Sequence, residues 1–188
     1  MEQIRNYFER FKKIPEKDWD IFSSKLTRKE FGKKEIILRA GQIDNHLSFM
    51  EKGIVRYYIP KEETELTFEF AFANSFVNAY DSFLKRTPSI YTIETLAETT
   101  LWRLSYHDLQ YIYDETEIGN RIGRYAAEEL YLKKSKREKS LLNENAEERY
   151  LKLFEEQPHL IQQIPLRYVA SYIGITPQAL SRIRKRIY

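Results

Sequence analysis

Pro165-Leu-Arg-Tyr-Val-Ala-Ser-Tyr-Ile-Gly-Ile-Thr-Pro-Gln-Ala-Leu-Ser-Arg-Ile-Arg-Lys-Arg-Ile-Tyr188 decides how the rest of the chain is read. Pro165 suits a first helical position, where its missing N–H costs nothing. Val169, Ala170 and Ile173 give that helix an apolar face, with Ala170 small where a second helix must cross closely. Gly174 tolerates the positive φ that a short link between crossed helices requires. Thr176 is a good N-cap and Pro177 a good first residue for the next helix. Leu180, Ile183 and Ile187 make its buried stripe. The opposite face offers Gln178, Ser181, Arg182 and Lys185, side chains suited to base edges and phosphates. The pattern predicts a helix-turn-helix. Between Gln157 and Tyr188 there are five Lys and Arg (Arg167, Arg182, Arg184, Lys185, Arg186) and no Asp or Glu, which suits a polyanion rather than a merely solvated face.

Charge is distributed unevenly. Residues 116–188 hold 14 Lys/Arg and 9 Asp/Glu, a balance of +5, so the first 115 residues carry −2 of the total +3. A mildly acidic part followed by a basic part fits a sensor joined to a nucleic-acid reader. The absence of Cys excludes disulfides, thiol redox sensing and Cys-ligated iron–sulfur clusters. No apolar run is long enough to span a bilayer, and Met1-Glu2-Gln3-Ile4-Arg5 lacks a signal-peptide core. A cytoplasmic location with no membrane partner is the expectation.

Residues 2–13 read as an amphipathic helix with Ile4, Phe8 and Phe11 on one face. A second helix begins near Pro15 and carries Trp19, Phe22 and Leu26. Both are expected to pack as lids on the strand-rich part of the chain. From Phe31 the sequence changes to short runs rich in β-branched and aromatic residues: 35–38, 47–50, 54–59, 66–72, 91–96 and 100–104. Leu66, Phe68, Phe70 and Phe72 alternate onto one face. These runs predict a β-sandwich or jelly roll. Ser105, with Asp108 three residues on, reads as a helix cap.

A long helix is expected from about Glu117 to Leu142. Ile118, Ile122, Tyr125 or Ala126, and Leu132 recur at helical steps and make a candidate dimer seam, the alternative being packing on the chain's own β domain. Gly119 and Gly123 fall one turn apart and suit close helix approach. Asn143-Glu-Asn145 is a natural break. Ala146–Glu156 then reads as a helix with Tyr150, Leu151 and Phe154 inward and Pro158 closing it, completing a three-helix reader.

This order of parts resembles the cyclic-AMP receptor/fumarate-nitrate regulator (Crp/Fnr) superfamily of transcription factors, in its short-tailed branch without a C-terminal wing. The similarity is strongest in 146–154 and 164–186. It implies an α+β fold: a cyclic-nucleotide-binding-like jelly-roll sensor (1–115), a dimerisation helix (116–142) and a helix-turn-helix domain (143–188). It implies that Thr176, Pro177, Gln178 and Arg182 contact base edges, with Ser181, Lys185 and Arg186 completing the DNA face. The expected partners are a near-palindromic DNA operator and a second copy of the chain, with RNA polymerase a further partner to consider. Cyclic-nucleotide-binding members carry a Gly-Glu-Leu turn and then an Arg-Ser or Arg-Thr pair. Here the Phe76 and Phe83 framework puts Asn78, Ala79 and Tyr80, then Ser89 and Ile90, at those places. Ala79 has no carboxylate for the ribose and Ser89 no charge for the phosphate. The pocket reads as degenerate, cyclic AMP is not the expected effector, and Lys85 or Arg86 is the nearby cation that could substitute. The effector is unknown or absent.

Two competing readings are a cupin-like metalloenzyme and an interaction module that does not bind DNA. The first needs clustered His and carboxylate ligands, whereas His46, His107 and His159 are scattered. The expectation is therefore a regulator and not an enzyme, with no cofactor and no metal.

Overall fold

The structure, a computed structural model, describes residues 1–187; Tyr188, the last residue of the quoted stretch, lies outside them. In chain order the elements are α1 (Glu2–Glu9), α2 (Glu16–Ser24), β1 (Thr27–Phe31), β2 (Ile36–Leu38), β3 (His46–Lys52), β4 (Ile54–Pro60), β5 (Glu65–Phe72), β6 (Ser75–Val77), α3 (Tyr80–Lys85), β7 (Thr92–Thr95), β8 (Thr99–Ser105), α4 (Tyr106–Glu115), α5 (Gly119–Asn143), α6 (Ala146–Glu156), α7 (Pro158–Gln163), α8 (Leu166–Ile173) and α9 (Pro177–Ile187). They form two compact units, residues 1–57 with 70–128, and residues 58–69 with 129–187.

Residues 58–69 of β4 and β5 aside, the first unit holds two four-stranded sheets, β1-β8-β3-β6 and β2-β7-β4-β5. Pairing in the first is antiparallel throughout, with Phe49 opposite both Phe76 and Trp102. Phe49, Val55, Ile93 and Leu101 are fully buried, as the alternation of apolar residues along the strands demands. The two N-terminal helices do act as lids. Ile4, Phe8 and Ile14 form one cluster with Phe49 and Ile118, and Trp19, Phe22, Phe76, Trp102 and Ile122 pack around it. A second cluster joins Phe83 and Leu104 to Leu109 and Ile112 of α4. The Ser105 cap forms as its sequence promises, its hydroxyl accepting the Asp108 N–H at 3.0 Å.

The turn between β3 and β4 depends on Gly53. Its φ is +127°, and a Cβ there would lie 2.3 Å from Thr99 Oγ1 and 2.8 Å from Thr99 Cα. Both backbone strain and a clash with main chain oppose any side chain. Gly53→Ala is expected to cost about 3 kcal/mol and to lower the thermal midpoint by about 6–12 °C. Thermal unfolding followed by circular dichroism checks this, and an unchanged midpoint would refute it.

Candidate nucleic-acid interface and sensor site

The second unit carries the helices expected to form the helix-turn-helix. Asn145 caps α6 through a full capping box with Glu148, which is what the Asn143–Asn145 break supplies. Tyr150 and Leu153 are its buried residues, at 1% and 5% exposure. Leu151 and Phe154, expected inward, are exposed. The inward row is set by the three-residue step from Tyr150 to Leu153. Pro158 does not simply end a helix: it opens α7, which buries Leu160. The C-terminal part, expected to hold three helices, therefore has four among the described residues, α6 to α9.

In α8, Val169, Ala170 and Ile173 are buried as expected, and Pro165 is the N-cap. Gly174 adopts φ +83° in the left-handed region and ends the helix, with the Ile175 N–H returning to the Ala170 carbonyl at 3.0 Å. The Thr176 hydroxyl accepts the Ala179 N–H at 3.2 Å, and α9 starts at Pro177. Leu180 and Ile183 are buried. Thr176, Pro177, Gln178, Ser181, Arg182, Lys185 and Arg186 are all solvent-exposed. Arg186 pairs with Glu147 of α6 at 2.5 Å. Such an exposed pair is worth under about 1 kcal/mol, so Arg186 can exchange Glu147 for a phosphate. No Asp or Glu lies within α9.

The last turn of α8 is held by three different elements. The Ser171 hydroxyl accepts the Thr67 N–H at 2.8 Å and donates to the Glu65 carbonyl at 3.0 Å. The Tyr172 carbonyl accepts from Arg137 of α5, whose guanidinium also lies 3.9 Å from the centroid of the Tyr172 ring. The Ile173 carbonyl accepts from Arg149 of α6 at 2.9 Å. Cations on the final carbonyls of a helix satisfy orphan acceptors and suit its dipole. The charge run on α5 is likewise employed within the unit: Lys133 and Lys134 both bind Glu69, at 2.6 and 2.5 Å, and Lys136 binds Glu156. Burial raises the Glu69 pKa, but the two lysines outweigh it and hold the carboxyl below its usual range.

In the first unit, the five pocket positions fall at the start of α3 and before β7. Ala79 is fully buried and its N–H donates to Asp44 Oδ2 at 2.7 Å. Ser89 is buried; its hydroxyl donates to the Tyr91 carbonyl at 2.9 Å and accepts the Tyr91 N–H at 3.2 Å. Asn78 Nδ2 is buried without a hydrogen-bond partner among the described residues. Tyr80 is part-buried and Ile90 is 68% exposed. Arg86, an expected nearby cation, is engaged within the fold. Its guanidinium is bound to the carbonyls of Asp44 and Phe83 and to Asn45, and lies 4.5 Å from the Tyr106 ring centroid. Lys85 is exposed. Among the described residues no group of three or more His, Cys, Asp and Glu side chains converges to hold a metal, and no helix is long and apolar enough to cross a membrane.

Residues 28–116 match the cyclic nucleotide-binding domain family. A crp/fnr-family protein from Eubacterium rectale superposes with a TM-score of 0.75 at 16% identity, over 97% of this chain and 87% of the other. The chain has the Crp/Fnr fold. FixK2 from Bradyrhizobium japonicum gives 0.70 at 16% identity over 86% and 84% of the two chains. The c-di-GMP-responsive regulator CLP from Xanthomonas campestris gives 0.68 at 18% over 92% and 91%. No curated protein matches the sequence. At identities this low the superpositions show the fold alone.

The candidate dimer residues divide within this architecture. Ile118 is 6% exposed inside the first unit's core and the part-buried Ile122 packs against the same cluster, so both make contacts within their own chain. Tyr125 stacks on Phe11 at 5.5 Å, and Ala126 is part-buried. Gly123 leaves room for the Tyr113 ring of α4, whose hydroxyl would sit 2.7 Å from an added Cβ. Leu132 alone of the five is open, at 66% exposure, beside Tyr131 at 71% and with Leu142 at 77% further along α5.

Proposed function

We propose that the chain is a homodimeric, sequence-specific, DNA-binding transcription regulator of the cytoplasm, acting without catalysis. The observation that carries this is the exposed face of α9. Gln178, Ser181, Arg182 and Lys185 stand free of the core on a helix pinned by a left-handed Gly174 turn. That is the arrangement by which a second helix enters a major groove. In this reading residues 143–188 read DNA, 116–142 carry the dimer axis and 1–115 form the sensor. Binding selection from random duplex DNA tests it. A near-palindromic motif is expected, with half-sites about 34 Å apart or a small multiple of that; no enriched motif would sink the reading.

The sensor, in this proposal, does not answer to cyclic AMP. Ala79 presents no carboxylate and its amide is occupied by Asp44. Ser89 presents no charge and its hydroxyl is occupied by Tyr91. Isothermal calorimetry is expected to show no heat of binding with cyclic AMP, and micromolar affinity would overturn this. The operator partner, the second copy and RNA polymerase remain the partners to be sought, with an effector of other chemistry or none.

A further inference from the structure

The tip of the β4–β5 hairpin, residues 58–69, belongs to the compact unit that holds the helix-turn-helix, although more than a hundred residues separate Thr67 from Ser171. Among the described residues β5 is the outermost strand of its sheet, with a neighbouring strand on one edge only. The Glu65 carbonyl and the Thr67 N–H lie two residues apart on such a strand, where a paired strand would answer both. The Ser171 hydroxyl binds both, taking the place of a strand at this edge. Two residues further on, Glu69 is anchored by Lys133 and Lys134, and the Lys134 ammonium lies 5.5 Å from the centroid of the Phe68 ring.

We infer that the hairpin tip is a positioning element of the DNA reader, acting on α8 through Ser171. This rests on the DNA-binding reading above. Ser171, Tyr172 and Ile173 form the last turn before the helix-turn-helix corner and are held by the hairpin, α5 and α6 respectively. α9 packs on α8, so its orientation follows from how that turn is fixed. Of the three supports, the hairpin is supplied by a segment distant in sequence. Loss of it leaves every DNA-facing side chain in place but lets the reader sample more orientations, and that ordering must then be made good on binding.

The test uses the full chain with Ser171→Ala and Ser171→Thr, since Ser171 is only part-buried and truncating it opens no core cavity. Ser171→Ala is expected to speed hydrogen exchange at the Thr67 amide and across 166–187. It is also expected to weaken binding to a duplex recovered by selection about tenfold, as suits the loss of two hydrogen bonds. The selected motif and the salt dependence should not change, because no base or phosphate contact is removed. Ser171→Thr, which keeps the hydroxyl, should restore both affinity and protection. Affinity and exchange within twofold of the unaltered chain, tighter binding by Ser171→Ala, or no rescue by Thr would overturn the inference. If the unaltered chain selects no duplex, the DNA-binding reading falls alone, and exchange across 166–187 still decides whether the tip holds α8 and α9.

Discussion

Leu132→Glu is expected to convert the protein to a monomer and to weaken binding to a palindromic duplex by at least about 100-fold. The size follows from the loss of the second half-site, whose binding is intramolecular in a dimer and carries a large effective concentration. Tyr131, Leu132 and Leu142 are the large apolar residues that α5 leaves open along its second half, joined by Leu141 near its end. Positions 128, 132, 135, 139 and 142 follow one another at alternating steps of four and three, the seam spacing of paired helices. A glutamate at Leu132 would place two carboxylates against each other across the axis and expose nothing within its own fold. Ile122→Glu is a poor test by comparison. Ile122 packs on the cluster of Phe8, Phe49 and Ile118, so a charge there would unsettle the sensor before it reported on assembly. Light scattering on Leu132→Glu that shows an unchanged dimer would move the axis elsewhere.

Helix α5 marks the point where sequence spacing stops being informative. Ile118 and Leu132 lie on one helical repeat, yet the first is spent on an intramolecular core and the second is open. Nothing in periodicity separates a helix packing on its own sheet from one packing on a copy of itself. Helices α8 and α9 and the turn between them were largely legible, since Gly174, Thr176, Pro177 and the Leu180/Ile183 stripe act locally, although Pro165 caps α8 rather than opening it and Ile187 is only part-buried. Strands β1 and β6 were not. Thr27–Phe31 is polar and mostly exposed, and Ser75–Val77 is three residues long, so each is a strand only because a partner holds it. Helix α7 was hidden by Pro158, which serves equally as a helix end and as a helix start. The alternation from Leu66 to Phe72 misled for a different reason. Thr67 is buried and Leu66 exposed, because the strand passes from one compact unit to the other at Glu69 and its two halves answer to different surroundings. The hub at Ser171 was illegible for the same cause, being a contact between residues 104 positions apart.

Arg182→Ala and Lys185→Ala should part in their effects on DNA. Both residues are exposed on α9 and stand three residues from one another, so they differ in reach more than in exposure. Arg182 lies one turn from Gln178, within the part of α9 that would enter the groove first in the proposed DNA-binding reading, and a guanidinium can hold the O6 and N7 of one guanine together. Its loss should cost about 1–3 kcal/mol per half-site and relax preference at one base position. Lys185 lies further toward the end of the helix, beside Arg184 and Arg186, and its ammonium is a point charge suited to a phosphate. Its removal should weaken all duplexes alike and lower the slope of affinity against salt by about one unit per phosphate contact. Arg186 should behave as Lys185 does, with a smaller loss, since Glu147 competes for its guanidinium. Binding-site selection on both variants, repeated across a salt series, separates the two roles. A motif unchanged by Arg182→Ala and altered by Lys185→Ala would reverse the assignment of the base-reading and phosphate-holding faces.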